Sequence, residues 1–421
     1  MCADLLVIYC GSCPAGPRSW LAAQTWATSL LELAWRRESR SNPTLMRPRS
    51  ACTKPPPRAP CETSTAVTQG PALGQVARPA WLTRRSILRL SGLVGIGLAT
   101  GYSASPGADA VKQEAGLQRV FETRLAMGTI VSITAIHPSR LQAQAAIGAT
   151  YDEISRLTRL LNRFDRSTPV ALLNRQGWLD DAPAELRQVV GRALSHFWLS
   201  GGAFDISIQP VVDLFRLRHA AGRSLPPPVA ALREALCLVD ARDIILDRRR
   251  LRFARPGMGI TLDGIAKGYV VDRASAVLSR HGIRNHLVNA GGDIRARGRG
   301  RDQRPWRVAV QDPRKAGAPP SIFELTDGAV ATSGNYEVYY DREQLFHHIA
   351  NPVTGLCPDA VASVSVLART AMDADALSTA VFLMDPGAGT RFIDSLPGCE
   401  CLMLTRDGTP VLSRGWPSAR L

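Results

Sequence analysis

GITLDGIAKGYVVDRASAVLSRHGIRNHLVNAGGD, residues 259–293, reads as a strand, a tight turn, a helix, a second strand and a glycine turn. A single lysine, Lys267, stands where the first strand becomes the helix. Lysine is scarce in this chain: four of its 51 basic residues are lysine and the rest are arginine. A helix start preceded by glycine presents free backbone N–H groups and the positive end of the helix dipole, which together attract phosphate or carboxylate. Without a ligand the same pattern is an ordinary β-α-β unit with a solvated lysine, so this stretch gives the fold more directly than the chemistry.

Working outward, Phe121 to Ala135 alternates as a strand through Met127-Gly128-Thr129, and Arg140 to Asn162 carries an apolar stripe at helical spacing. A second helix runs from Ala184 to Leu199 and stops at Gly201-Gly202. Phe204 to Ile208 is a short strand or turn, Arg216 to Pro228 a polar, proline-rich loop, and a short helix leads to Cys237. Ile244–Leu246 and Leu251–Phe253 read as paired strands, followed after the opening stretch by strands at Trp306–Gln311, Phe323–Leu325, Ala329–Ser333 and Val361–Leu367. Ala371 to Met384 is helical, and short strands return near Cys401–Leu404. Helices interleaved with many short strands imply an α+β (mixed α/β) domain over residues 111–421.

The first quarter reads differently. Residues 1–80 scatter Pro, Ser, Thr and Arg, hold five of the nine cysteines and lack sustained periodicity, as expected of a disordered or non-native extension. Residues 81–110 follow the pattern of a twin-arginine export signal: Arg84-Arg85, a short apolar run from Leu90 to Thr100, and a small-x-small cleavage site at Ala108-Asp109-Ala110. The run is shorter than the ~20 residues of a membrane span. The expected location is the periplasm, or the inner membrane if the signal stays uncleaved, with the native start downstream of Met1, for instance at Met46.

The formal net charge is +15, and +8 once residues 1–110 are removed. No basic run has interleaved aromatics, which argues against nucleic acid. A positive field suits an anionic small molecule or an acidic protein patch. The four cysteines beyond residue 110 lack zinc spacing and indicate no disulfide.

Asp375 and Thr379 lie four apart on the predicted 371–384 helix, which places a carboxylate and a hydroxyl on one face. With a backbone carbonyl they form a partial oxygen shell for Mg²⁺. The plain alternative is a helix-start carboxylate and a hydroxyl bonded back to its own helix. Asp373 points elsewhere. Phe346 to Gly355 sets His347-His348 before an Asn351-Pro352…Thr354-Gly355 turn, where one histidine can face a pocket as a general base. Thr332-Ser333-Gly334 is a small-residue turn where backbone can come close to a ligand.

In order along the chain, Met127-Gly128-Thr129, Phe204-Asp205, Gly264-Ile-Ala-Lys-Gly-Tyr269, Gly291-Gly292-Asp293, Trp306 with Asp312-Pro313, Thr332-Ser333-Gly334, His348-Ile349…Pro352…Thr354-Gly355 and Asp375-Ala-Leu-Ser-Thr379 resemble the landmarks of the ApbE family, the FAD:protein FMN transferases. The resemblance covers about residues 120–385. It implies a Mg²⁺ (or Mn²⁺) site from the Ala266 carbonyl, Asp375 and Thr379. FAD, the substrate, would be contacted by Met127, Phe204, Asp205, Lys267, Ser333 and Gly334, with His348 as the base. Thr261-Leu262-Asp263-Gly264 departs from the Asp-Leu-Gly-Gly of many relatives. It moves the carboxylate two places, to Asp263, where a continuing strand would keep it facing the nucleotide. That form is similar to a subgroup linked to nitrous oxide respiration. The implied reaction transfers the FMN part of FAD to a Thr or Ser hydroxyl of a periplasmic or membrane flavoprotein and releases AMP. An FAD pyrophosphatase and a non-catalytic FAD carrier are the alternatives.

Overall fold

The alternation from Phe121 to Ala135 is broken once, at Met127-Gly128, so one expected strand is a hairpin of β1 (Gln118–Ala126) and β2 (Thr129–His137). The computed structural model of the protein describes residues 116–222, 226–300, 303–313, 319–335, 347 and 349–417. The twin-arginine segment, its cleavage site and His348 lie outside the described residues.

After the hairpin come α1 (Arg140–Leu161), α2 (Pro169–Gln176), β3 (Trp178–Leu179), α3 (Ala184–Leu199), α4 (Gln209–Ala220), α5 (Val229–Leu236), β4 (Ile244–Asp247) and β5 (Arg250–Phe253). The second half holds α6 (Ala266–Arg280), β6 (Asn285–Ala290), β7 (Asp293–Arg297), β8 (Trp306–Val310), β9 (Ser321–Leu325), β10 (Gly328–Gly334) and β11 (Val361–Ala368). It closes with α7 (Ala371–Phe382), α8 (Pro386–Asp394), β12 (Glu400–Thr405) and β13 (Pro410–Leu412). Eight strands make one antiparallel sheet in the order β1-β2-β6-β7-β10-β11-β12-β13, β3-β5-β4 make a small sheet, and β8-β9 pair by themselves. The fold is α+β.

Alternation along the strands gives the large sheet two apolar faces. Val131, Ile133, Val288 and Ala290 point into a core shared with α1 and α6, where Ala146, Ile147, Ile154, Leu157, Tyr269 and Ala274 are buried. Their neighbours Ile136, Leu287, Ile294 and Val330 point the other way, under Trp306, Val308 and Phe323 of the β8-β9 pair. Helices α1, α6 and α7 lie on one face and the β8-β9 pair on the other. None of the described helices is long and apolar enough to cross a membrane.

Two expectations are corrected here. Residues 259–263 form no strand: Ile260 is bonded on both its N–H and C=O by the Asn174 side chain, and Thr261 N–H donates to the Ile206 carbonyl. With its backbone partners supplied by a side chain and a turn, the segment has no ladder to join. The loop expected from Arg216 is still the last turn of α4, whose polar residues face solvent.

Candidate functional site

Two hairpin turns stand side by side at one end of the large sheet. Met127 and Gly128 have φ of 53° and 72°, and Gly291 and Gly292 have 58° and 96°, the pair of positive values a type I′ turn requires. Left-handed backbone costs a non-glycine residue about 1–2 kcal/mol, so Met127 is held at the tip by its surroundings. The β2–β6 register, Val131 opposite Ala290, brings the turns together so closely that a Cβ at Gly291 would run into the Thr129 hydroxyl. Strand β10 runs antiparallel to β7 with Val330 opposite Ile294, which carries Ser333 and Gly334 to the same end.

Two helices close this end, and each satisfies the other's start. The Gly268 N–H of α6 donates to Asp375 Oδ2 on α7 at 3.0 Å, while Ala371 and Met372 N–H of α7 donate to the Asp272 carboxylate on α6, both at 2.9 Å. The approach needs glycine, because a Cβ at Gly268 would overlap the Ala371 carbonyl. Burial pushes the Asp272 carboxyl up, against the pull of those two amides. One turn beyond Asp375, Thr379 Oγ1 lies 3.2 Å from Ser333 Oγ, which also meets Ser378 Oγ at 2.7 Å. A Cβ on Gly264 would fall 2.8 Å from Thr379 Oγ1 and 3.3 Å from the Phe204 ring. Lys267 Nζ stands 3.5 Å from Asp293 Oδ1, joining the start of α6 to the residue after the glycine turn. Asp293 is almost fully buried.

The pattern of the ApbE family matches residues 127–403. The chain belongs to the ApbE family. It is 30% identical over 315 residues to the FAD:protein FMN transferase of Treponema pallidum, covering 69% of this chain and 86% of that one. The crystal structure of the ApbE protein from Thermotoga maritima superimposes with a TM-score of 0.64 at 29% identity, over 70% of this chain and 97% of that one. The flavin transferase ApbE from Vibrio cholerae does so with a TM-score of 0.60 at 26% identity, over 71% and 98%.

On this ApbE frame, Lys267, Ser333, Asp375 and Thr379 converge, with Ala266 opening α6 beside them and Phe204 packed under Gly264. Gly334 ends the strand that carries Ser333, and Met127 occupies the neighbouring turn. Asp205 has its oxygens engaged inside the fold: Oδ1 accepts from the N–H and hydroxyl of Ser207, and Oδ2 from Ala241 N–H. Burial nonetheless raises its carboxyl. Asp263, with no strand beneath it, is drawn sideways to Arg163 at 2.7 Å. Arg163 in turn lies over the Phe164 ring. His347 is buried, its Nδ1 accepting from Ile349 N–H and its Nε2 donating to the Pro358 carbonyl.

The donor set suits a hard divalent ion. Asp375 is buried and aimed at the start of α6, Thr379 follows on the same face, and both present oxygen donors of the kind Mg²⁺ prefers. Among the described residues no group of three or more His, Cys, Asp or Glu gathers as a metal cage. Asp272, Gly264 and Gly268 went unread as site residues. The two glycines stand within the quoted stretch, where a glycine at a helix start is a visible sign of close approach. Asp272 gives no local sign at all.

Proposed function

We propose that this chain is an FAD:protein FMN transferase that uses Mg²⁺ or Mn²⁺ to move FMN from FAD to a Thr or Ser hydroxyl of a periplasmic or membrane-associated flavoprotein, releasing AMP. The observation that carries it is the meeting of Asp375, Thr379 and Lys267 at the start of α6. A helix start beside an ammonium group suits the pyrophosphate of a dinucleotide. Family membership and the names of the relatives supply the reaction class.

Asp375, Thr379 and the Ala266 carbonyl would hold the ion, which when bound neutralises charge on the pyrophosphate. Lys267 draws in and orients the same group, exchanging part of its interaction with Asp293 for the phosphate oxygens. The Met127 turn and the Ser333-Gly334 end of β10 bring backbone close to the nucleotide. His348 takes the proton of the acceptor hydroxyl, whose oxygen bonds to the flavin-side phosphorus. The bond from that phosphorus to the bridging oxygen breaks, and AMP leaves with the electron pair. Residues 81–110 direct export, so the acceptor is met in the periplasm or at the membrane surface.

The test is to incubate the protein with FAD, Mg²⁺ and a membrane-flavoprotein domain carrying an acceptor threonine, alongside the same domain with that threonine changed to alanine. Flavin fluorescence that stays on the denatured threonine domain alone supports the reading. Equal labelling of both domains, or of neither, contradicts it.

A further inference from the structure

The first turn of α7 carries a second carboxylate, Asp373, that takes no part in the site described above. Its Oδ1 accepts from His196 Nε2 at 2.9 Å and from Arg192 Nε at 2.6 Å, both on α3. Arg192 is half exposed, whereas His196 is 97% buried, with 3% of its surface reached by solvent. The other ring nitrogen of His196, Nδ1, is buried without a hydrogen-bond partner. An apolar side chain of similar size would leave no such nitrogen unsatisfied. What the imidazole adds is the bond to Asp373. Its ring also meets Phe204 edge-on, with centroids 6.1 Å apart and planes at 72°. One buried side chain therefore touches both α7 and the aromatic ring that packs under Gly264.

We infer that His196 is a positioning residue for the α7 half of the site, holding Asp373 so that α7 cannot rotate and Asp375 and Thr379 keep their places. Residues two apart on a helix project to nearly opposite sides, so a bond made by Asp373 toward α3 sets the direction of Asp375 toward α6. Asp272 grips the end of α7 close to its axis and resists rotation little. With Asp373 released, α7 loses this tie to α3 and keeps the Asp375–Gly268 bond and the Ser333 contacts on the side of the site. Side-chain ends lie roughly 5–6 Å from a helix axis, so a turn of about 20° moves the carboxylate by about 2 Å. Ligand constellations tolerate only about 0.5 Å. This inference rests on the metal role proposed above for Asp375 and Thr379.

The experiment measures Mn²⁺ binding to the full chain with FAD present, by electron paramagnetic resonance, together with kcat and the KM for FAD. His196→Phe keeps an aromatic ring against Phe204 and removes the donor, while His196→Gln restores an N–H. Asp373→Ala removes the acceptor from the other side. Expected are a roughly 10-fold weaker Mn²⁺ affinity and a lower kcat in His196→Phe and Asp373→Ala, with an unchanged KM for FAD and recovery in His196→Gln. Wild-type Mn²⁺ affinity in either disrupting variant overturns the inference, whatever happens to its melting temperature. If His196→Phe fails to fold, Asp373→Ala decides. Absence of Mn²⁺ binding in the wild-type protein overturns the metal reading itself, and this inference with it.

Discussion

Replacing Gly268 by alanine tests whether contact between α6 and α7 builds the site. The added Cβ would lie against the backbone of α7: it would overlap the Ala371 carbonyl and come 2.8 Å from Met372 Cα. Carbon atoms rest at about 3.5–4.0 Å, so the helices must part by about 1 Å. That lengthens the 3.0 Å bond between Gly268 N–H and Asp375 beyond hydrogen-bond range. Losing a bond to a charged group costs about 1.5–3 kcal/mol, and overpacking about 1–3 kcal/mol more. Alanine recovers about 1 kcal/mol through its better helix propensity. The net loss is about 1.5–5 kcal/mol, a fall in Tm of roughly 2–8 °C for a domain of about 300 residues. A displacement of about 1 Å at the reacting groups costs about 10²-fold in rate. Differential scanning fluorimetry and the rate of AMP release give the two readouts. The control is Gly148→Ala on α1, where a Cβ meets nothing within 4 Å, and stability should hold or rise slightly. A Gly268→Ala protein that keeps both Tm and rate refutes the reasoning.

Asp375→Asn keeps an acceptor for Gly268 N–H but loses the charge, so Tm should stay within a few degrees while metal-dependent AMP release falls at least ~10²-fold. An asparagine variant as active as wild type contradicts the metal role proposed for Asp375. His348→Ala should slow transfer by ~10²–10⁴-fold with FAD still bound, as flavin fluorescence titration would report; loss of binding instead makes its role structural. His286 is fully buried, its Nδ1 donating to the Ile283 carbonyl and its Nε2 accepting from Ser275, and burial pushes its imidazole down to about 4. Unfolded, it titrates near ~6.5, so it has no effect on stability above that pH and lowers it progressively as pH falls toward 4, by about 3 kcal/mol in all. Urea midpoints at pH 7 and 4.5 should differ more for the wild type than for His286→Gln; equal differences would rule this histidine out.

Much of the frame was legible because one face of each long element is apolar. Ile154, Leu157 and Leu161 of α1 are buried as their spacing requires, and α3 stops at its two glycines. The β1–β2 hairpin escaped notice because Met127-Gly128 lacks the usual Asn-Gly or Asp-Gly signature. Helix α8 was missed since Gly387 and Gly389 lower its helix propensity. Yet a Cβ at Gly389 would come 2.9 Å from the Val381 side chain, so packing against α7 required that glycine. In the site, Lys267 and the Asp375/Thr379 pair carry local signs: a helix start and a four-residue spacing. Their supports do not. Asp272 reaches α7 across 99 residues, and His196 reaches Asp373 across 177, distances over which spacing carries no information. The direction of Asp263 was not legible for a related reason, since it depends on Arg163, 100 residues earlier.

The most direct test of the central claim is the intact mass of an acceptor domain incubated with this protein, FAD and Mg²⁺, with the nucleotides separated from the same reaction. Expected are an acceptor heavier by one FMN, an equal amount of AMP, and loss of both with EDTA or with Asp375→Asn. AMP and free FMN beside an unmodified acceptor, or bound FAD left intact, would contradict that claim.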